Sequence, residues 1–440
     1  MTTEVAKRRT TNYFKQVQAS VLFKAGAVLA SFISIPILIR YLGVEKFGVW
    51  STILSVMTWL VLFDLGVGNG LKNCVSKALA DNNRVEARKY ISAGYTLIGG
   101  IAIVLWLFSF FGAYYIPWHR VFNTIAVSEN EIRLTVQISL SCIILNFWMG
   151  LVGAILGGFQ KTSLVALGQL YSNIFSLFFV CLVWAMLDPS IVVLAIVYGV
   201  AVIFSSILLS VGFYKDNKDL IPVFFWRRKY INPLLSVGLT FFTIQIAVLV
   251  VFTTDKILIT QFFGPQMVTQ YEVVMKIFAL FSFAHALISA PLWPAYSDAF
   301  HRKDNHWIRQ MLIKQLMVFA VFVVAVIVMV LIAKKIILIW IGDDLAVSID
   351  LILVIAIFIL VSIWNNIYAM ILNGVGKTNV QLITAVLAML FNIPLAYVLV
   401  RVYGLGVSGV VVAATVSLLF SAVALPIQVF RSALKENSGE

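Results

Sequence analysis

Three features of this sequence predict an all-α integral membrane protein, with twelve transmembrane helices in two pseudo-symmetric six-helix bundles and both termini cytoplasmic. The first is composition. The chain has 440 residues, 61% hydrophobic and 12% charged, with a mean hydropathy of +0.99. Soluble domains average roughly 25% charged residues, and a chain this apolar cannot cover a water-facing surface. The second is run length. Apolar stretches of about 20 residues recur, each enough to cross the hydrocarbon core as a helix. They are continuous, without the period-2 alternation of a membrane barrel. The third is charge placement. There are 32 Lys and Arg against 19 Asp and Glu, a formal net charge of +13. Most of the cations fall on every second connecting segment, which is the positive-inside pattern and not a nucleic-acid footprint. The expected location is the cell (inner) membrane, multi-pass.

The elements follow in order. Residues 1–16 are polar and carry Lys7, Arg8, Arg9 and Lys15, so they are placed in the cytoplasm. No cleavable signal peptide is visible, because the first apolar run is too long and lacks a small-residue cleavage site. The first bundle covers 17–214, with spans at 17–39, 47–69, 90–115, 133–156, 164–187 and 191–214. A basic inner loop is expected between the second and third spans, holding Lys72, Lys77, Arg84, Arg88 and Lys89. Residues 215–230 form the basic cytoplasmic linker. The second bundle covers 231–430, with spans at 233–259, 269–294, 308–333, 347–372, 380–400 and 407–430, and residues 431–440 form a cytoplasmic tail.

The two halves repeat. The turn after span 1, I-R-Y-L-G-V-E-K-F-G-V-W, aligns with T-Q-F-F-G-P-Q-M-V-T-Q-Y after span 7. Gly43 falls on Gly264 and Trp50 on Tyr271. The turn after span 4, L-G-G-F-Q-K-T, aligns with L-N-G-V-G-K-T after span 10, pairing Trp148 with Trp364 and Lys161 with Lys377. Six spans separate each pair, so the repeat is parallel, about an axis along the membrane normal.

Ionisable residues within spans cost roughly 2.5–3.5 kcal/mol each on insertion scales, so each is expected to face a cavity or a partner. Lys24 shares one helical face with Ser20, Ala27, Ser31 and Ser34. That face can line a wet path, or Lys24 can snorkel to the interface. Asp64 lies beside the Gly66, Gly68, Gly70 break and can pair, exchange a proton or satisfy freed backbone groups. Asp255 and Lys256 are adjacent and point about 100° apart. Glu272 and Lys276 are four apart and can pair directly. Arg40 ends span 1 as an anchor or an anion contact.

Other motifs are weak. G-K-T at 376–378 lacks the first glycine of a phosphate-binding loop, since position 371 is Ile371. Gly153 and Gly157 form a G-x-x-x-G packing motif. Cys74, Cys142 and Cys181 have no metal-ligand spacing, and among four histidines only His285 lies in a span. No metal site, cofactor or catalytic constellation is expected, and the loops are short and basic, so an enzyme such as a membrane glycosyltransferase or polymerase is disfavoured.

Some of these residues carry a resemblance. I-P-I-L-I-R-Y-L-G-V-E-K-F-G-V-W-S (35–51), F-D-L-G-V-G-N-G-L-K-N (63–73), T-D-K-I-L-I (254–259) and G-K-T (376–378) resemble the polysaccharide-biosynthesis flippases. These are the O-antigen and lipid-linked-oligosaccharide translocases of the multidrug/oligosaccharidyl-lipid/polysaccharide exporter superfamily. The resemblance covers nearly the whole chain. It implies a MATE-like fold and alternating access. It implies that an isoprenoid-pyrophosphate-linked oligosaccharide moves from the inner to the outer leaflet, with ion coupling and no ATP hydrolysis. It further implies other polysaccharide-assembly membrane proteins as partners. By position, Lys24, Lys256 and Lys276, with Arg40 at the exit, would meet substrate. Asp64, Asp255 and Glu272 would couple or gate. The alternatives are a multidrug cation antiporter of the same fold and a scaffold subunit of an assembly complex.

Overall fold

The computed structural model describes residues 2–59, 66–289, 292–343 and 345–432. The described residues form helices, in order α1 (Thr2–Leu42), α2 (Val44–Thr58), α3 (Val67–Ala80), α4 (Arg84–Gly112), α5 (Trp118–Phe122), α6 (Glu129–Met149), α7 (Leu151–Gly158) and α8 (Thr162–Trp184). Then come α9 (Ile191–Asp216), a 3-10 turn (Lys218–Leu220), α10 (Arg228–Phe263), α11 (Pro265–Ser289), α12 (Leu292–His301), α13 (Asn305–Ile341), α14 (Ile349–Val375), α15 (Asn379–Arg401) and α16 (Gly406–Ser432). Ten segments among the described residues are long and apolar enough to cross a membrane. The remaining two predicted spans fall on α2 with α3 and on α10. The most apolar window of α13 has a mean hydropathy of 3.4, yet only 11% of it is buried. Leu331, Ile339 and Val321 stand exposed along that helix. Such a surface is tolerated in lipid and not in water. The protein is a multi-pass membrane protein.

Several helices outrun the predicted spans. α1 begins at Thr2 and α13 continues to Ile341. Hydropathy marks only the apolar middle of a helix, whereas Lys, Arg and Gln are also good helix formers beyond it. The expected basic loop at 72–89 is corrected more sharply. α3 runs straight through Gly68 and Gly70 to Ala80, and only 81–83 turn before α4. Val67, Leu71, Val75 and Ala78 recur at helical spacing and are all buried, while Lys72 and Lys77 stand on the outer side. The stretch is an amphipathic helix, which a reading of charge alone takes for a loop.

The chain divides into two compact units, Met1–Gln245 and Ile246–Glu440. The first has a core where α3, α4 and α7 meet, around Leu71, Ile91, Ile98 and Ile155. The second has a core where α12, α13, α14 and α16 meet, around Tyr296, Ile308, Ile371 and Leu425.

Inside each unit the same turn devices recur. Gly43 and Gly264 take φ of 80° and 85°, a region other residues avoid. Their N–H groups donate to the carbonyls of Ile39 (2.8 Å) and Thr260 (2.9 Å). After α7, Gln160 is left-handed and Lys161 N–H donates to Leu156 O at 2.8 Å. After α14, Gly376 is left-handed and Lys377 N–H donates to Leu372 O at 3.0 Å. Both are six-to-one C-terminal caps, so G-K-T is a helix stop. A third pair escaped the sequence comparison. Asn82 and Lys303 have φ of 54° and 59°. Asn83 N–H reaches Ala78 O and Asp304 N–H reaches Ala299 O, both at 2.9 Å. Asn83 and Asp304 then cap the next helix, accepting from the N–H groups of Glu86 and Trp307.

Close packing follows the repeat. A Cβ on Gly158 would lie 3.0 Å from Val75 Cγ1 of α3, and one on Gly374 would lie 2.7 Å from Tyr296 Cβ of α12. Gly153 of the G-x-x-x-G motif has no neighbour closer than 4.0 Å. The close approach therefore belongs to Gly157 and Gly158.

Candidate functional site

α10 and α11 form a hairpin about Gly264, so residues near 255 and near 271 come level. Asp255 is 1% exposed. The buried Tyr271 hydroxyl donates to its Oδ2 at 3.1 Å. Asp255 Oδ1 is buried with no hydrogen-bond partner among the described residues. The next rung is ionic. Lys256 Nζ lies 2.5 Å from Glu272 Oε2, and both side chains are about four-fifths buried, 22% and 19% exposed. Lys276, one turn along α11, feels the charges of both Glu272 and Lys256. The 100° between neighbours on a helix explains the division of labour: Asp255 meets Tyr271 while Lys256 meets Glu272. The sequence suggested a pair within α11, Glu272 with Lys276. An ion pair from Glu272 to Lys256 ties α11 to α10.

The other expected residues belong to the first unit. Lys24 is exposed on α1, and among the described residues no carboxylate lies within ion-pair distance of it. Its predicted face divides. The Ala27 carbonyl accepts from Asn173 Nδ2 of α8 at 2.8 Å, and the Ser34 hydroxyl donates to Ala30 O at 2.8 Å, with both residues buried. Arg40 is exposed in the last turn of α1. Asp64 lies outside the described residues.

Sequence reasoning missed other buried polar groups. Tyr271 was singled out only as the counterpart of Trp50. Asn392 on α15 and Ser417 on α16 are fully buried, and their side-chain polar atoms lack partners among the described residues. His285, which the sequence did mark as the histidine within a span, is 1% exposed and lies edge-on to Phe322, and its Nε2 has no hydrogen-bond partner among the described residues. The available signal was the same for all: a polar residue inside an apolar run. Among the described residues no three His, Cys, Asp or Glu side chains gather as a metal site.

Comparisons with known proteins agree with this architecture. The profile of the polysaccharide biosynthesis protein family matches residues 14–300, and the MatE profile matches 241–398. A candidate O-antigen transporter of Salmonella typhimurium is 24% identical over 367 residues, covering 81% of this chain and 82% of its own. A candidate O-antigen export protein of Yersinia pseudotuberculosis is 24% identical over 367 residues, 80% of each chain. Among solved structures, an inward-facing multidrug resistance MATE transporter of the MOP superfamily superposes with a TM-score of 0.79 at 14% identity, covering 95% of this chain and 100% of that one. A MOP superfamily transporter from Pyrococcus furiosus gives 0.67 at 14% identity, with 96% and 97% covered. The fold is MATE-like, and the chain belongs to the polysaccharide biosynthesis protein family.

Proposed function

We propose that this protein is a flippase for an isoprenoid-pyrophosphate-linked oligosaccharide, an O-antigen, capsule or exopolysaccharide repeat unit. It works by alternating access of two six-helix bundles joined through 215–230 and is driven by an ion gradient. The observation that carries the reading is the buried cluster of Asp255, Tyr271, Lys256, Glu272 and Lys276 in helices otherwise built for oil. Buried charge without a function is a burden on a membrane helix. Lys256 and Lys276 offer a pyrophosphate two cations, and Glu272 competes with it for Lys256. Lys24 and Arg40 of the first unit are further cations assigned to substrate contact. A buried carboxyl with one donor is costly unless a proton or a cation joins it, which makes Asp255 the coupling group, with Glu272 and Asp64 as gating partners. The relatives named for O-antigen transport support this substrate class. Other assembly proteins of the same membrane are its expected partners.

The likeness to multidrug transporters, together with buried Asp255, favours a second reading as a cation antiporter. One experiment separates the two. Cells carrying Lys24→Ala or Asp255→Asn at normal protein level should accumulate lipid-linked oligosaccharide on the inner leaflet. Normal surface glycan together with lost drug-cation efflux would select the antiporter.

A further inference from the structure

The first unit has a flank that the transport reading does not use. After α9 and its 3-10 turn, residues 221–227 have no regular secondary structure and are strapped along α4 by a ladder of side chains spaced four apart. Arg84 holds Asp219 at 2.6 and 2.9 Å and Asn217 at 2.9 Å. Arg88 Nε donates to Ile221 O at 3.0 Å. The Ser92 hydroxyl accepts from Val223 N–H at 3.2 Å, and the Thr96 hydroxyl accepts from Phe225 N–H at 3.0 Å. Residues 84, 88, 92 and 96 lie on one helical stripe.

Beside the strap, a groove of about 810 Å³ opens between α4, α6 and residues 222–224. Gly99 and Gly100 form its floor, and Trp106 and Trp148 stand in its walls. Both indole N–H groups are turned to protein partners, Ser141 Oγ at 2.9 Å and Tyr95 O at 3.1 Å. The groove surface is left apolar. Phe224 is 87% exposed over it.

The strap continues directly into a cationic patch. Arg227 lies over the Phe225 ring, and Lys89 and Lys229 both lie over Tyr230, each at 5.7–5.9 Å. Phe225 and Tyr230 are themselves in contact, with centroids 5.4 Å apart. Two acids of this flank are engaged elsewhere, Asp219 by Arg84 and Glu86 by Asn83. All three cations are exposed.

We propose that this groove and patch together are a binding site for an anionic phospholipid of the surrounding membrane. Its acyl chain lies on Gly99 and Gly100, and its phosphate lies on Lys89, Arg227 and Lys229. An apolar trough lined by Phe224, the chain neighbour of Phe225 in the basic, aromatic-rimmed patch, matches the two halves of such a lipid in order. The site belongs to one unit and does not depend on what the protein transports.

The test is native mass spectrometry of the full-length protein with dioleoyl phosphatidylglycerol, dioleoyl phosphatidylcholine or a polyprenyl phosphate. Two variants accompany the wild type. Gly100→Leu fills the trough, and a Cβ there meets nothing within 4 Å, so the fold is expected to survive. Lys89→Gln/Arg227→Gln/Lys229→Gln removes the charge. The wild type should retain phosphatidylglycerol about tenfold or more over phosphatidylcholine, given the attraction of each surface cation for anionic lipid. Gly100→Leu should weaken both lipids, and the triple variant should erase the preference alone. Equal retention of the two phospholipids, insensitivity to both variants, or retention of polyprenyl phosphate that phosphatidylglycerol cannot displace would each overturn the proposal.

Discussion

Lys256 and Glu272 show what a single residue decides in this protein. Removing Glu272 leaves two cations, Lys256 and Lys276, within range of each other's charge in a mostly buried site. Removing Lys256 leaves Glu272 with Lys276 still beside it. Glu272→Gln should therefore destabilise more than Lys256→Met, with a loss of about 2 kcal/mol, below the 3–5 kcal/mol of fully buried pairs. Thermal unfolding of the two variants in detergent would settle the order. The surface pair behaves differently. Arg84, bonded to Asp219, holds that carboxyl below its usual range. A depressed carboxyl stabilises the fold above its unfolded pKa and loses that contribution as pH falls through the folded one. The melting difference between wild type and Asp219→Asn should be largest near neutral pH and shrink below about pH 4. The sequence identified Asp255, Lys256, Glu272 and Lys276 because each interrupts an apolar run. It could not name Tyr271 as the donor to Asp255, because that contact depends on how α10 and α11 meet.

At the scale of the element, the glycines sort by what surrounds them. Gly374 has backbone and Tyr296 Cβ within 3 Å of where a Cβ would lie, Gly158 has its neighbours at 3.0–3.1 Å, and Gly100 has open space. Alanine at these positions should destabilise in the order 374, 158, 100. The first should cost about 1–3 kcal/mol as overpacking, and the last should be neutral or stabilising, since Ala is the better helix former. Detergent melting curves test the series, and equal effects would deny the close approaches of α7 on α3 and α14 on α12. Span positions were legible because an apolar run of 20 residues has few other fates. The amphipathic α3 was not, because its lysines mask a buried stripe that only helical phasing reveals.

For the whole molecule, the repeat is the organising fact. Turns that match in sequence, Gly43 with Gly264 and Gln160 with Gly376, match in backbone conformation and hydrogen bonding. The pair formed by Asn82 and Lys303 matches in geometry with almost no sequence likeness, because a left-handed helix stop can be built from several residue types. The repeated architecture was thus partly visible in the sequence, and its third hinge was not. The buried charges do not follow the repeat: Asp255, Lys256 and Glu272 fall in α10 and α11, where the first half places Ser34, Ile35 and Ser51 by the same register. That asymmetry supports the proposal that coupling lies in the second half, with Asp255 as its central group. Its most direct test is translocation of a lipid-linked oligosaccharide in proteoliposomes under an imposed proton or sodium gradient, comparing wild type with Asp255→Asn. The account predicts gradient-stimulated translocation in the wild type and none in a variant that folds and inserts normally; gradient-driven translocation at the wild-type rate by Asp255→Asn would contradict it.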